Sequence, residues 1–103
     1  MNKPIDLLSN LADYQTGGIV SRKIVQKPAG SITVFAFDKD EGLSEHTAAY
    51  DAMVYMLEGE GEFLIDGESH RVKAGEFLIL PANHPHAVNA PTRFKMLLTM
   101  IRA

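Results

Sequence analysis

The chain has 103 residues, no cysteine and a formal net charge of −3. That length supports one modest hydrophobic core, and the lack of cysteine excludes disulfides, thiol catalysis and thiolate-bound zinc or iron–sulfur centres. The mild negative charge leaves neither a basic footprint for nucleic acid nor a polybasic patch for a membrane surface, and no run approaches the roughly 20 apolar residues needed to span a bilayer.

In chain order, residues 1–14 place Ile5, Leu8, Leu11 and Ala12 at helical spacing. Pro4 suits a first turn and Asp6 the positive end of the helix dipole. This segment, residues 1–15, is expected to be a short helical cap over an open sheet end, separate from one β-domain over residues 16–103. It carries acidic residues and polar breaks where a signal peptide has a continuous apolar run, which points to a cytoplasmic location. After the Gly17-Gly18 break, Ile19–Lys27 alternates as a strand, Pro28-Ala29-Gly30 turns the chain, and Ser31–Phe37 is rich in β-branched and aromatic residues. Asp38–Gly42 is a polar turn, and Leu43–Tyr50 is ambiguous.

The densest strand signal is DAMVYMLEGEGEFLIDG, Asp51 to Gly67. Ala52–Glu58 and Glu62–Asp66 flank Gly59-Glu60-Gly61, the signature of a hairpin. Both alternate sets of Ala52–Leu57 are apolar, so that strand is expected to be covered on both faces. Asp66-Gly67 leads to a polar edge strand, Glu68–Lys73, whose lysine and arginine discourage edge-to-edge pairing. Glu76–Leu80 reads as a short buried strand, Pro81-Ala82-Asn83 as a turn, and Pro85–Asn89 as a strand with His86 and Val88 on one alternation. Arg93–Ile101 closes the chain, again apolar on both faces towards its end. Eight to ten short strands with regular turn signals predict an all-β sandwich or barrel.

The segments LEGEGEFLIDG and KAGEFLILPANHPHAV, in this order, resemble the cupin superfamily over roughly residues 31–100. The resemblance implies a jelly-roll β-barrel. Cupins carry the motifs G-x5-H-x-H-x(3 or 4)-E-x6-G and G-x5-P-x-G-x2-H-x3-N. Anchored on Gly59, the first motif places its histidines at His46 and Ala48 and its glutamate at Ala52. In the second, Gly75, Pro81 and His86 match, Asn83 stands at a glycine position, and Ala90 takes the final asparagine position with Asn89 one residue earlier. Of four metal ligands usual in the family, the chain keeps His46 and His86. Asparagine at position 83 is tolerable because it visits left-handed backbone angles readily, whereas alanine has no donor atom.

Two kinds of function follow from the residues. The broken ligand set suggests a small-molecule-binding barrel. Alanines at 48 and 52 enlarge and grease an interior lined by Ala48, Tyr50, Ala52, Val54 and Met56, with His46 and His86 as convergent polar groups for a partly apolar ligand. The retained histidine pair suggests instead a metal-dependent enzyme of dioxygenase, isomerase or decarboxylase type, using iron, manganese, nickel or zinc. Asp51, one residue from the glutamate position, and His84, two residues before His86, are candidate additional ligands, with Glu45 and Tyr50 as further candidates. His70 lies in the polar hairpin and reads as a surface residue. The two strands apolar on both faces predict a homodimer with Met53, Tyr55, Leu57 and Leu97 at its interface.

Overall fold

Among the described residues nine antiparallel strands form two facing sheets, a jelly-roll sandwich. The computed structural model describes residues 5–102. The strands are β1 (Ile19–Lys27), β2 (Gly30–Phe37), β3 (Gly42–His46), β4 (Asp51–Glu58), β5 (Glu60–Ile65), β6 (Glu68–Lys73), β7 (Phe77–Leu80), β8 (His86–Asn89) and β9 (Phe94–Ile101). A five-stranded sheet runs β1-β2-β9-β4-β7 and a four-stranded sheet β3-β8-β5-β6. The ambiguous segment after residue 42 resolves as β3, which gains its strand partner only from β8, about 40 positions away in sequence.

Alternation decides which side chains meet between the sheets. Ala52, Val54 and Met56 of β4 face inward and are buried, while Asp51 and Tyr55 between them are exposed. Phe37 and Phe94 are register partners on β2 and β9, stacked at 4.5 Å between ring centroids, and Phe63 of β5 closes on Phe94 at 6.2 Å from the opposite sheet. These rings, with Val54, Met56 and Val72, fill one end of the sandwich with fully apolar packing. The tight β4–β5 connection passes directly over this end. Gly59 there has φ +77°, and a Cβ would collide with the backbone of Arg93 and Phe94, so only glycine fits.

Four expectations are corrected. No hairpin forms at Gly59-Glu60-Gly61: β4 pairs with β7 and β9 and β5 with β6 and β8, so this connection passes from one sheet to the other. The N-terminal segment forms no α-helix: among its described residues the only helical element is a 3-10 turn, Leu8–Asn10. Pro4, placed in the first turn of that expected helix, lies outside the described residues. Nor does the segment cap a sheet end. Leu11 and Ala12 lie on the outer face of the five-stranded sheet, against Val34 and Ala36, with Leu57 and Leu97 packed beside them. The physical reason is that β2, β9 and β4 carry apolar side chains on both faces, and burying the outer ones is worth about 25 cal/mol per Å², more than a three-turn helix would offer alone. Finally, Phe77–Leu80 is not buried on both faces. It is the edge of the five-stranded sheet, with Leu80 buried and Phe77 and Ile79 exposed.

The segment is moored by polar contacts at its two ends. The Lys95 ammonium donates to the Ser9 carbonyl at 2.7 Å and lies over the Tyr14 ring, whose hydroxyl donates to Glu58 at 3.1 Å. Asp38 closes the other end: the Gly17 N–H donates to one carboxylate oxygen and Arg93 Nε to the other, both at 2.7 Å. These bonds, that of Gly17 first and then that of Arg93, hold the Asp38 carboxyl below its ordinary range. A depressed carboxyl stabilises the fold above its unfolded value of about 3.9, and that contribution fades as pH falls through the lower folded value. Asp38→Asn is therefore expected to melt below the wild type at neutral pH, with the gap closing under acid; thermal unfolding followed from pH 7 to pH 3 measures both.

Candidate functional site

The end of the sandwich opposite the phenylalanine cluster is not filled. A cavity of about 80 Å³ opens there between the sheets. A buried water needs about 10–15 Å³ by this measure, so the space suits a small organic molecule or several waters. The five-stranded sheet contributes Phe35 of β2, Ala52 of β4 and Met96, Leu98 and Met100 of β9. The four-stranded sheet contributes Leu43 and His46 of β3, Phe63 of β5, and His86 and Val88 of β8; Ala48 and Tyr50 come from the loop between β3 and β4. An apolar void of this volume costs about 2 kcal/mol at about 24 cal/mol per Å³. A chain that leaves it open accepts that cost locally.

His46 and His86 are register partners across the β3–β8 ladder. Their rings meet edge to face with centroids 4.4 Å apart. His86 is buried, at 7% exposure, whereas His46 stands at the exposed rim. Each ring is fixed by its own neighbourhood. The Nδ1–H of His46 donates to the Ser44 carbonyl at 2.9 Å, and the Nδ1–H of His86 donates to the His84 carbonyl at 3.2 Å. A carbonyl only accepts, so both rings carry their proton on Nδ1 and their lone pair on Nε2. Burial, followed by the proximity of His46, pushes the His86 imidazole below its ordinary value, against the opposing pull of the His84 carbonyl. His86 is thus held neutral.

The loops behind the pair are tied together. Asn83 adopts φ +65°, the left-handed angle its place in the turn demands, and its N–H donates to the Ala48 carbonyl at 2.7 Å. Asp51 points away from the cavity: its carboxylate accepts from the Ala82 N–H at 2.8 Å and pins the same turn from outside. His84 also lies outside, its ring against the Asp66 carboxylate at 2.8 Å. Alternation accounts for Asp51, since no bulge re-aims it. Pro85, between His84 and β8, breaks the alternation that would have kept His84 on the side of His86. His70 sits beside Glu68, half-exposed on the hairpin. Of the five residues expected to line a pocket, Ala48, Tyr50 and Ala52 do so; Val54 and Met56 lie deeper, in the packed core. The inward row Met96, Leu98 and Met100 was legible only as period-two alternation in a strand whose two faces are equally apolar.

A transition ion held by protein needs three or four converging donor atoms. Two imidazoles with carbonyl-fixed Nδ1–H groups and free Nε2 lone pairs are half of a metal site, and their carbonyl partners are the usual outer shell. Positions 48 and 52 offer only methyl groups, and among the described residues no group of three or more histidines and carboxylates converges. The side chains present therefore do not fit an ion held by protein ligands alone.

Comparison with known proteins agrees with this architecture. The Cupin_2 family model, a cupin domain, matches residues 33–101. A conserved protein of unknown function from Streptococcus pyogenes is 36% identical, with a TM-score of 0.90 over 100% of this chain and 90% of that one. A cupin 2 conserved barrel domain protein from Leptotrichia buccalis is 44% identical, with a TM-score of 0.89 over 91% of this chain; this chain spans 46% of it. A cupin superfamily protein from Desulfitobacterium hafniense DCB-2 is 25% identical, with a TM-score of 0.90 over 100% and 94% of the two chains. No curated protein matches. Among the described residues no helix is long and apolar enough to cross a membrane.

The tautomers make a direct prediction. Free imidazoles favour the proton on Nε2, but long-range ¹H–¹⁵N correlation spectra at pH 8 should show His46 and His86 protonated on Nδ1. Nε2-protonated spectra for both rings would contradict the geometry.

Proposed function

The chain belongs to the cupin family, and from that premise we propose that it binds a small, partly apolar molecule in its barrel, with His46 and His86 as the polar groups that orient it. The supporting observation is the pair of imidazoles, each with Nδ1 engaged by a carbonyl, in the lining of an otherwise apolar cavity. A neutral imidazole with Nδ1 committed to a carbonyl accepts at Nε2, so the ligand carries a hydroxyl or amino donor on an apolar body. Ala48 and Ala52 provide the room. His46 lies at the exposed rim and His86 behind it, so the ligand's donor meets the pair as the apolar body enters.

A second reading rests on the same imidazoles. In it His46 and His86 ligate a divalent transition ion whose remaining positions go to water and to the ligand, and the protein is a metal-dependent enzyme. The adjacency of the two imidazoles, with centroids 4.4 Å apart, favours it; the alanines at 48 and 52 count against it.

One set of proteins separates the two. Phenol should raise the melting temperature of the wild type. Ala52→Leu, which fills the cavity, should be more stable than the wild type by up to about 2 kcal/mol yet gain nothing from phenol, and a His46→Ala/His86→Ala variant should lose most of the shift. Elemental analysis of untagged wild type beside the double variant completes the set: near-stoichiometric metal in the first and none in the second selects the enzyme reading.

The assembly proposed for this chain is a homodimer through the outer face of the five-stranded sheet. Tyr55 pairs in register with Phe77 and Met53 with Ile79 on adjoining strands. Phe77 is 64% exposed and Ile79 47%, and Ile101 on β9 adds to the same face at 59%. Exposed, contiguous large apolar side chains of this kind mark contact surfaces. Leu57 and Leu97, expected at the interface, are occupied by the N-terminal segment, which shifts the surface towards β7. Light scattering at micromolar concentration should give the mass of two chains for the wild type and of one chain for Phe77→Asp/Ile79→Asp; a monomeric wild type would sink the proposal.

A further inference from the structure

The inward row of β9 does not end with its last paired residue. The Arg102 N–H donates to the Ala29 carbonyl at 2.8 Å, which carries the β2–β9 pairing one step past the Gly30–Ile101 partners. Alternation therefore persists, and Arg102 follows Met96, Leu98 and Met100 on the cavity side. Its guanidinium carbon lies 5.1 Å from the centroid of the Tyr50 ring, and Tyr50 and Met100 both line the cavity. Arg102 does not itself line the cavity; its charge lies against Tyr50, which does.

This guanidinium is incompletely satisfied. Its Nε is buried and has no hydrogen-bond partner. Among the described residues no carboxylate pairs with it. Asp51, the register partner of Ile101, is nearest in the sheet, but its carboxylate faces outward and serves the Ala82 N–H. Buried donors on a permanently charged group are rarely left open, and a guanidinium presents the planar fork that a carboxylate accepts.

Resting on the cavity reading above, we infer that Arg102 is a ligand-binding residue, the anchor for a carboxylate, and that the ligand class is the small hydroxy acids. The hydroxyl of such a molecule donates to the His46–His86 pair, its apolar body lies among Ala52, Leu98 and Met100, and its carboxylate accepts from Arg102. No bond is made or broken in this inference; it concerns recognition alone.

Calorimetric titration of the full chain tests it, with 4-hydroxybenzoate and 3-hydroxybutyrate each measured beside its neutral amide, and phenol as a probe of the cavity itself. At least one acid should bind about tenfold or more tighter than its amide, as a charge-assisted hydrogen bond requires. Arg102→Gln should erase that preference while still binding phenol, which also shows that the variant is folded; Arg102→Lys should keep part of the preference. Equal binding of acid and amide, or a preference that survives Arg102→Gln, overturns the inference, and phenol binding in that case leaves the cavity reading standing. A wild type that binds none of the five compounds overturns both.

Discussion

Side chains of a strand point alternately to its two sides, and in this protein the strand on which that rule weighs most is β9. It lies between β2 and β4 at the centre of the five-stranded sheet, so both of its edges are paired. Its inward row passes from Phe94, locked into the aromatic cluster, through Met96 and Leu98 to Met100 on the cavity wall. One strand thus spans the whole depth of the barrel, packed at one end and open at the other. Its outward row is covered by the N-terminal segment near Leu97 and left apolar beyond it. The fold's interior, its open site and its sticky outer face are three consequences of one strand with two apolar sides.

The chemistry of the site arises from subtraction. Methyl groups at positions 48 and 52 remove donors from the place where a family member keeps them and leave space. The two remaining imidazoles are not free to compensate. Carbonyls of Ser44 and His84, each two residues before the ring it holds, commit Nδ1 in both. Burial keeps His86 from taking a second proton. Together they set one buried and one rim imidazole, each with Nδ1 engaged by a carbonyl, against an otherwise apolar wall.

Stability in this small domain is distributed rather than concentrated. The aromatic cluster supplies the dense core, and the open cavity gives some of that back. The N-terminal segment contributes without regular structure, through two apolar side chains and polar moorings at Lys95, Tyr14, Glu58 and Asp38. Its removal would uncover Val34 and Ala36, which are fully buried on the outer face of the sheet. Sheet, segment and proposed partner copy are successive answers to the same excess of apolar surface.

The sequence by itself determined the all-β class, the approximate number of strands, the tight turn at Gly59 and the edge character of β6, and it carried the family resemblance. Period-two patterning and turn residues act over a few positions, so they are readable in a line of letters. It also showed that asparagine replaces glycine at position 83 where the backbone turns left-handed. What it could not decide were pairings between distant positions. That β3 is a strand depends on β8; that Val54 and Met56 belong to the core while Ala52 belongs to the cavity depends on how deep the phenylalanines reach. That Asp51 meets the Ala82 amide, and that the Arg102 guanidinium lies over Tyr50, are likewise contacts between distant positions. Local patterning sets which faces a strand presents, but only long-range packing sets what each face meets, because those contacts join residues far apart in sequence.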